Sequence, residues 1–253
     1  MGAYRVVEVK IDNKSCPAGL YRSIPVITVD GPSGAGKGTI AYSLARTLGW
    51  HLLDSGTIYR VLAFIARANA LSLIQEQQLL PLLEQLSQLS FSINHSDSCL
   101  KIFWKQRDIT RAIRNEALGR LASQVAKHVK IREGLLSYQR SFRKQPGLVA
   151  DGRDMGTVIF PDAVLKIFLF AALEERARRR FLQLKAMGKH VSLGALYAQL
   201  EERDIQDRER TVSPLKMPEG ALVIDTTCLQ VQAVLEKIQA KLRLVLSNDQ
   251  GGC

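Results

Sequence analysis

A short β-branched run, Ile24 to Val29, passes directly into Asp30-Gly31-Pro32-Ser33-Gly34-Ala35-Gly36-Lys37-Gly38-Thr39, and this junction constrains the fold more than any other feature. An apolar run bounded by glycine and proline reads as a buried strand entering a loop, and a helix is expected from about Gly36 to Leu48. In that setting a G-x-x-x-x-G-K match carries chemistry. Its glycines let backbone N–H groups turn inward around phosphate oxygens, the helix N-terminus adds partial positive charge, and Lys37 can reach the β and γ phosphates. The competing reading is an ordinary glycine turn with a solvated lysine, which explains neither the strand before the loop nor the helix after it. One residue departs from the general pattern. Gly38 stands where such loops place a magnesium-ligating Ser or Thr, and Thr39 comes one position later.

The remaining pattern extends an α/β order. His51-Leu52-Leu53 reads as a second strand, and Thr57 to Ala70 carries apolar residues at helical spacing. Leu148 to Ala150, Val164 to Phe170 and Leu222 to Ile224 are further strands. They are apolar on both faces and separated by helical stretches, as in a parallel sheet covered on both sides. A closing helix is expected from Gln230 to Leu246. Two segments exceed a minimal doubly wound sheet. Residues 75–145 open with an amphipathic helix, pass through strands at Phe91 to Ile93 and Leu100 to Trp104, and end in two basic helices. Residues 174–210 are dense in charge of both signs, a pattern usual for a solvated helical face. The domain boundaries are therefore an extension at 1–23, a core formed by 24–74 with 146–253, and an insert at 75–145.

Charge narrows the ligand class. The chain has 253 residues and a net charge of +11, of which +9 falls between Lys101 and Lys144. Such an excess points to nucleic acid, a membrane surface or anionic small molecules. The longest apolar run, Val164 to Leu173, contains Lys166 and is too short to cross a bilayer. Arg5, Glu8, Lys10 and Asp12 interrupt any signal-peptide core. Cys16, Cys99, Cys228 and Cys253 are widely spaced, fitting neither a zinc site nor a disulfide framework, so reduced thiols and a cytoplasmic location are expected.

The form G-x-x-G-x-G-K-G-T resembles the nucleoside monophosphate kinases, in which magnesium is held mainly by nucleotide phosphates and water. Within that class the chain resembles the bacterial cytidylate kinases across about 24–246. The motifs that carry the likeness are Leu53-Asp54-Ser55-Gly56 with Tyr59-Arg60, Asp151-Gly152-Arg153-Asp154-Met155-Gly156-Thr157, and Arg203-Asp204 with Asp207-Arg208 and Arg210. The resemblance implies a P-loop NTPase-type parallel sheet flanked by helices, an inserted α+β monophosphate-binding domain at 75–145, and a helical lid at about 174–210. It implies ATP binding by Gly31, Pro32, Ser33, Gly34, Ala35, Gly36, Lys37, Gly38 and Thr39. It also implies a monomer with CMP and dCMP as acceptors, working in pyrimidine metabolism without nucleic-acid or membrane partners. Ser123, Arg132 and Asp154 would read the base, Arg203 and Asp207 hold the ribose, and Arg60, Arg153 and Arg210 bind the acceptor phosphate, with Ser55 lining the site. Lys37 and the lid arginines Arg176, Arg179 and Arg180 would carry catalysis.

Those residues suit the chemistry. Cytosine presents an amino donor beside two acceptors, so a selective site needs a fixed acceptor and a cationic donor, which Asp154 and Arg132 can supply. Asp154 also suits a helix N-cap. Arg176, Arg179 and Arg180 share a helix face, against the alternative of a helix salt-bridged through Glu174 and Glu175, which also fits Arg178. Arg111, Arg114, Arg120 and Lys127 read as ordinary surface cations. Two rivals remain: a kinase of another monophosphate such as UMP, and a nucleic-acid-binding P-loop NTPase. The second needs aromatic stacking groups, and the insert offers only Phe103 and Trp104, which suit its own core.

Overall fold

The computed structural model describes residues 5–7, 24–94 and 99–249. In chain order its strands are β1 (Arg5–Val7), β2 (Val26–Asp30), β3 (His51–Asp54), β4 (Leu89–Asn94), β5 (Cys99–Trp104), β6 (Arg107–Asp108), β7 (Leu148–Asp151), β8 (Leu165–Phe170) and β9 (Leu222–Asp225). Most of the extension, with Cys16 and Cys253, lies outside the described residues; Arg5–Val7 is the part of the extension assigned to a strand.

The chain divides into two compact units, with breaks between Asp54 and Ser55 and between Phe142 and Arg143. The unit containing the glycine loop is built on a parallel sheet ordered β3-β7-β2-β8-β9. All five residues of β2 are buried, which explains an apolar run without alternation. On one face Ile27, Val29, Val149, Ile167, Leu169 and Ile224 pack against two helices. Lys37–Leu48 contributes Ile40, Ala41 and Leu44, and Val231–Asp249 contributes Val234, Ile238 and Leu242. On the other face a single π turn, Met155–Ile159, lies on β2. Asp30 reaches into that turn, accepting from the Met155 and Gly156 amides at 2.8 Å each. The charged segment forms two helices packed on one another, Leu173–Ala186 and Leu193–Glu209. It is not the wholly solvated face that its composition suggested: Arg176, Asp204 and Asp207 are buried.

The other unit carries an antiparallel sheet ordered β1-β4-β5-β6, with helices at Ser55–Ala68, Glu116–Val125 and Val129–Arg140. β1 pairs with β4, so the extension adds a strand here. The helix Ser55–Ala68, assigned to the core from sequence, packs along Glu116–Val125 and belongs to this unit. The expected amphipathic helix near 75 is one α-turn, Glu76–Leu79, continued as a 3₁₀ helix over Leu80–Gln88. Pro81 accounts for the change, since it lacks the N–H that an α-helix interior requires.

Candidate active site

In an open parallel sheet, ligands meet the carboxyl ends of the strands. Here β2, β3 and β7 end in Asp30, Asp54 and Asp151, with Asp54 and Asp151 in register. The glycine loop follows β2. Gly31 has φ +143°, and a Cβ on it would lie 1.9 Å from the Leu169 carbonyl, so no other residue fits. Gly34 has φ +80° and faces the Arg176 side chain.

Three side chains bind carbonyls of the loop. Lys37 Nζ donates to Pro32 O at 2.8 Å, Arg176 Nη1 to Ser33 O at 2.9 Å, and the Thr226 hydroxyl lies 3.2 Å from Ala35 O. Burial, reinforced by the Arg153 charge, pushes the Lys37 ammonium well below its ordinary value. Burial and then the repulsion of Asp54, together outweighing the attraction of Lys37 and Arg153, raise the Asp151 carboxyl. Burial also lifts Asp30 to about 6. Asp151 was quoted from sequence within a motif but given no role. Its Oδ2 stands 3.5 Å from where a Cβ on Gly38 would be, which brings a buried carboxylate to the start of the loop's helix. The available signal was an apolar strand ending in Asp.

Next to the loop, Arg153 Nε donates to Asp207 Oδ2 at 2.7 Å and Nη1 to Gly152 O at 3.2 Å. Burial alone would raise Asp207, yet Arg153, Arg203 and Arg210 hold it below the ordinary carboxylate value. Arg210 Nη2 is 3.8 Å from Asp154 Oδ1. Asp154 occupies the N-cap position of the Met155–Ile159 turn, and its backbone carbonyl receives Val158 and Ile159, but its side chain makes no capping bond. The structure thus brings Arg153, Asp154, Arg203, Asp207 and Arg210 together near Lys37.

The expected lid arginines are placed differently from one another. Arg176 is 4% exposed and each of its nitrogens meets a protein acceptor: Nε to Ala171 O at 3.0 Å, Nη1 to Ser33 O, and Nη2 to Asp204 Oδ2 at 2.6 Å. Arg179 donates through Nε to Glu175 at 2.9 Å, through Nη1 to the Thr226 hydroxyl at 3.2 Å, and through Nη2 to the Thr226 and Thr227 carbonyls. Arg180 Nη1 meets Gln183 Oε1 at 2.5 Å, and Arg178 pairs with Glu175 on the exposed side.

In the other unit, Ser55 Oγ donates to Gln139 Oε1 at 2.7 Å, and Gln139 is buried. Arg60 Nη1 donates to Ile113 O and Asn115 O at 3.0 and 2.9 Å. Ser123 back-bonds to Gly119 O at 3.2 Å, while Arg132 is buried with its guanidinium 5.8 Å from the Tyr59 ring centre. Gln139 was missed. It lies on the buried stripe Ile131, Leu135, Tyr138, Gln139, so a polar residue at core spacing was the readable sign.

The model of the cytidylate kinase family matches residues 27–244. The chain belongs to the cytidylate kinase family. It is 51% identical to the cytidylate kinase of Stutzerimonas stutzeri over 223 residues, covering 88% of this chain and 97% of that one. It is 52% identical to the cytidylate kinase of Pseudomonas savastanoi pv. phaseolicola over 87% of this chain and 96% of that one. With that of Edwardsiella ictaluri the identity is 49%, over 88% and 98%. The match takes in every cytidylate kinase motif quoted from the sequence, from the glycine loop to Arg210. Among the described residues, no helix is long and apolar enough to cross a membrane.

Proposed function

We propose that this chain is an ATP-dependent kinase that transfers the γ-phosphoryl group to CMP and dCMP, giving ADP and the corresponding diphosphates. The observation that carries the reading is the cytidylate kinase family match across residues 27–244. The site's chemistry supports it. Phosphoryl transfer asks the protein for positioning and for cations around the migrating group, and little covalent work. Lys37 leaves the Pro32 carbonyl for the donor phosphates, and Arg180 adds charge from the lid. Magnesium neutralises phosphate charge. The ion would be held mainly by the nucleotide phosphates and water, with the buried Asp151 carboxylate at the start of the loop's helix available to accept from those waters.

On the acceptor, Arg60, Arg153 and Arg210 meet the phosphate, Arg203 and Asp207 the ribose, and Ser123, Arg132 and Asp154 the base, with Ser55 lining the site. The support, within the unit that carries the glycine loop, is that Arg153 is paired to Asp207 and that the Asp154 carboxylate is not consumed in capping. The acceptor phosphate attacks as an anion, so the chain needs no general base.

A coupled assay with ATP and each of CMP, dCMP, UMP, AMP and GMP tests the reading. Turnover with the two cytidylates well above the others is expected. Equal turnover with UMP would assign the chain to a broader monophosphate kinase, and ATP hydrolysis stimulated by polynucleotide but not by CMP would replace the reading altogether.

A further inference from the structure

A loop that cradles phosphate points its N–H groups inward, so its carbonyls must point outward and find donors there. For Ser33 and Ala35 those donors come from outside the loop, and both trace to one face of the Leu173–Ala186 helix. Arg176 reaches Ser33 O directly, while its other nitrogens are fixed by Ala171 O and by Asp204, which is 2% exposed. Arg179 acts one step removed. Its Nη1 donates to the Thr226 hydroxyl, and that hydroxyl lies 3.2 Å from both Ala35 O and Phe170 O. Because the hydroxyl accepts from a guanidinium that cannot deprotonate, its single proton goes to a carbonyl. Both guanidinium groups have every nitrogen engaged on protein, where Lys37 has a single bond, to Pro32 O, to give up.

We infer that Arg176 and Arg179 are positioning residues for the phosphate-binding loop, holding the carbonyls of Ser33 and, through Thr226, of Ala35 outward so that the loop binds the donor nucleotide preformed. The inference deepens the ATP-dependent reading and rests on it. A lid cation and a brace differ in what they change. A cation that acts on the migrating group affects kcat at saturating ATP, whereas a brace affects ATP affinity even without acceptor present.

The test measures ATP and ADP binding to the full chain by calorimetry without CMP, alongside steady-state kinetics, for Thr226→Val, Thr226→Ser, Arg179→Met and the double variant Thr226→Val/Arg179→Met. Losing one such hydrogen bond corresponds to roughly fivefold. Thr226→Val should weaken ATP binding about fivefold with kcat at saturating ATP unchanged, and Thr226→Ser should restore the affinity. Arg179→Met should weaken binding by a similar factor, and the double variant should be no worse than either single one, because both act along one path. For the direct contact, Arg176→Lys keeps a charge beside Asp204 but not the forked reach to Ser33, and should also weaken ATP binding before it lowers kcat. The inference is overturned if Thr226→Val binds ATP as the wild type does, if the two effects multiply in the double variant, or if Arg176→Lys or Arg179→Met lowers kcat with ATP affinity intact. A wild-type chain that fails to bind ATP at all would instead overturn the functional reading itself.

Discussion

Arg153 Nε lies 2.7 Å from Asp207 Oδ2, so the second residue after β7 is tied by a largely buried ion pair to the Leu193–Glu209 helix. Removing one partner of such a pair leaves the other charge uncompensated, which costs on the order of 3 kcal/mol. Asp207→Ala should therefore lower the urea midpoint of unfolding and raise the KM for CMP more than the KM for ATP. An unchanged midpoint would show that the pair behaves like a solvated one.

Lys37 makes the opposite prediction for stability. Its charge is buried and its pKa is depressed, so the folded state holds the proton less tightly than the unfolded chain does. At neutral pH that proton opposes folding. Lys37→Met should thus lower phosphoryl transfer by a factor on the order of 10³ while leaving the melting temperature equal to or above that of the wild type. A variant that loses activity together with its fold would contradict this account of the lysine.

Asp154 is expected to set base choice. A carboxylate accepts from the cytosine amino group but faces a carbonyl oxygen in uracil, and buried polar groups left unpaired discriminate strongly. Asp154→Ala should lower kcat/KM for CMP by at least about tenfold, about 1.4 kcal/mol, and that for UMP much less. The side chain makes no capping bond, so the loss is not that of a helix cap. If the CMP to UMP ratio survives, base reading passes to Ser123 and Arg132.

Asp30 gives the pH dependence. Its carboxyl is raised from 3.8 to about 6, chiefly by burial. A raised acid binds its proton more tightly when folded, so its contribution to stability is fully present below the unfolded pKa and is lost as pH rises through about 6. The stability of the wild type relative to Asp30→Asn should fall between pH 4 and pH 6 and then level off. Carboxyl-carbon NMR should place the Asp30 midpoint near 6, and a midpoint near 4 would dismiss the shift.

The central strand of the parallel sheet was legible because a strand buried on both faces is written as a largely apolar run, as in Val26–Asp30, whereas Leu165–Phe170 is fully buried only at alternate positions and was legible by its apolar content despite Lys166. The glycine loop was legible because only glycine tolerates the approach of Gly31 to Leu169. Buried ionic residues were not. In the Leu193–Glu209 helix the inward stripe begins as Leu196 and Leu200 and continues as Asp204 and Asp207, so half of the buried face looks solvated when judged by composition. What buries those carboxylates is Arg176 and Arg153, distant in sequence, and no local period reports such pairing. The same holds for Thr226, whose importance comes from reaching Ala35 across 191 positions of chain. The short strand at Arg5–Val7 exists through its pairing with Phe91–Ile93, which lies far from it in the chain.

The sheet order β3-β7-β2-β8-β9 also has a consequence for synthesis. β2 emerges from the ribosome early, but its ladder partners begin only at Leu148 and Leu165, and β3 waits for β7 as well. At roughly 5 to 20 residues per second, that separation leaves both strands without partners for on the order of ten seconds of elongation. During this interval the contiguous stretch Ser55–Phe142 has been completed, while the fully buried strand β2 of the unit that carries the glycine loop has two open edges. A chain slowed or stalled beyond Phe142 would hold that strand with both edges still unpaired, because neither β7 nor β8 has yet been made.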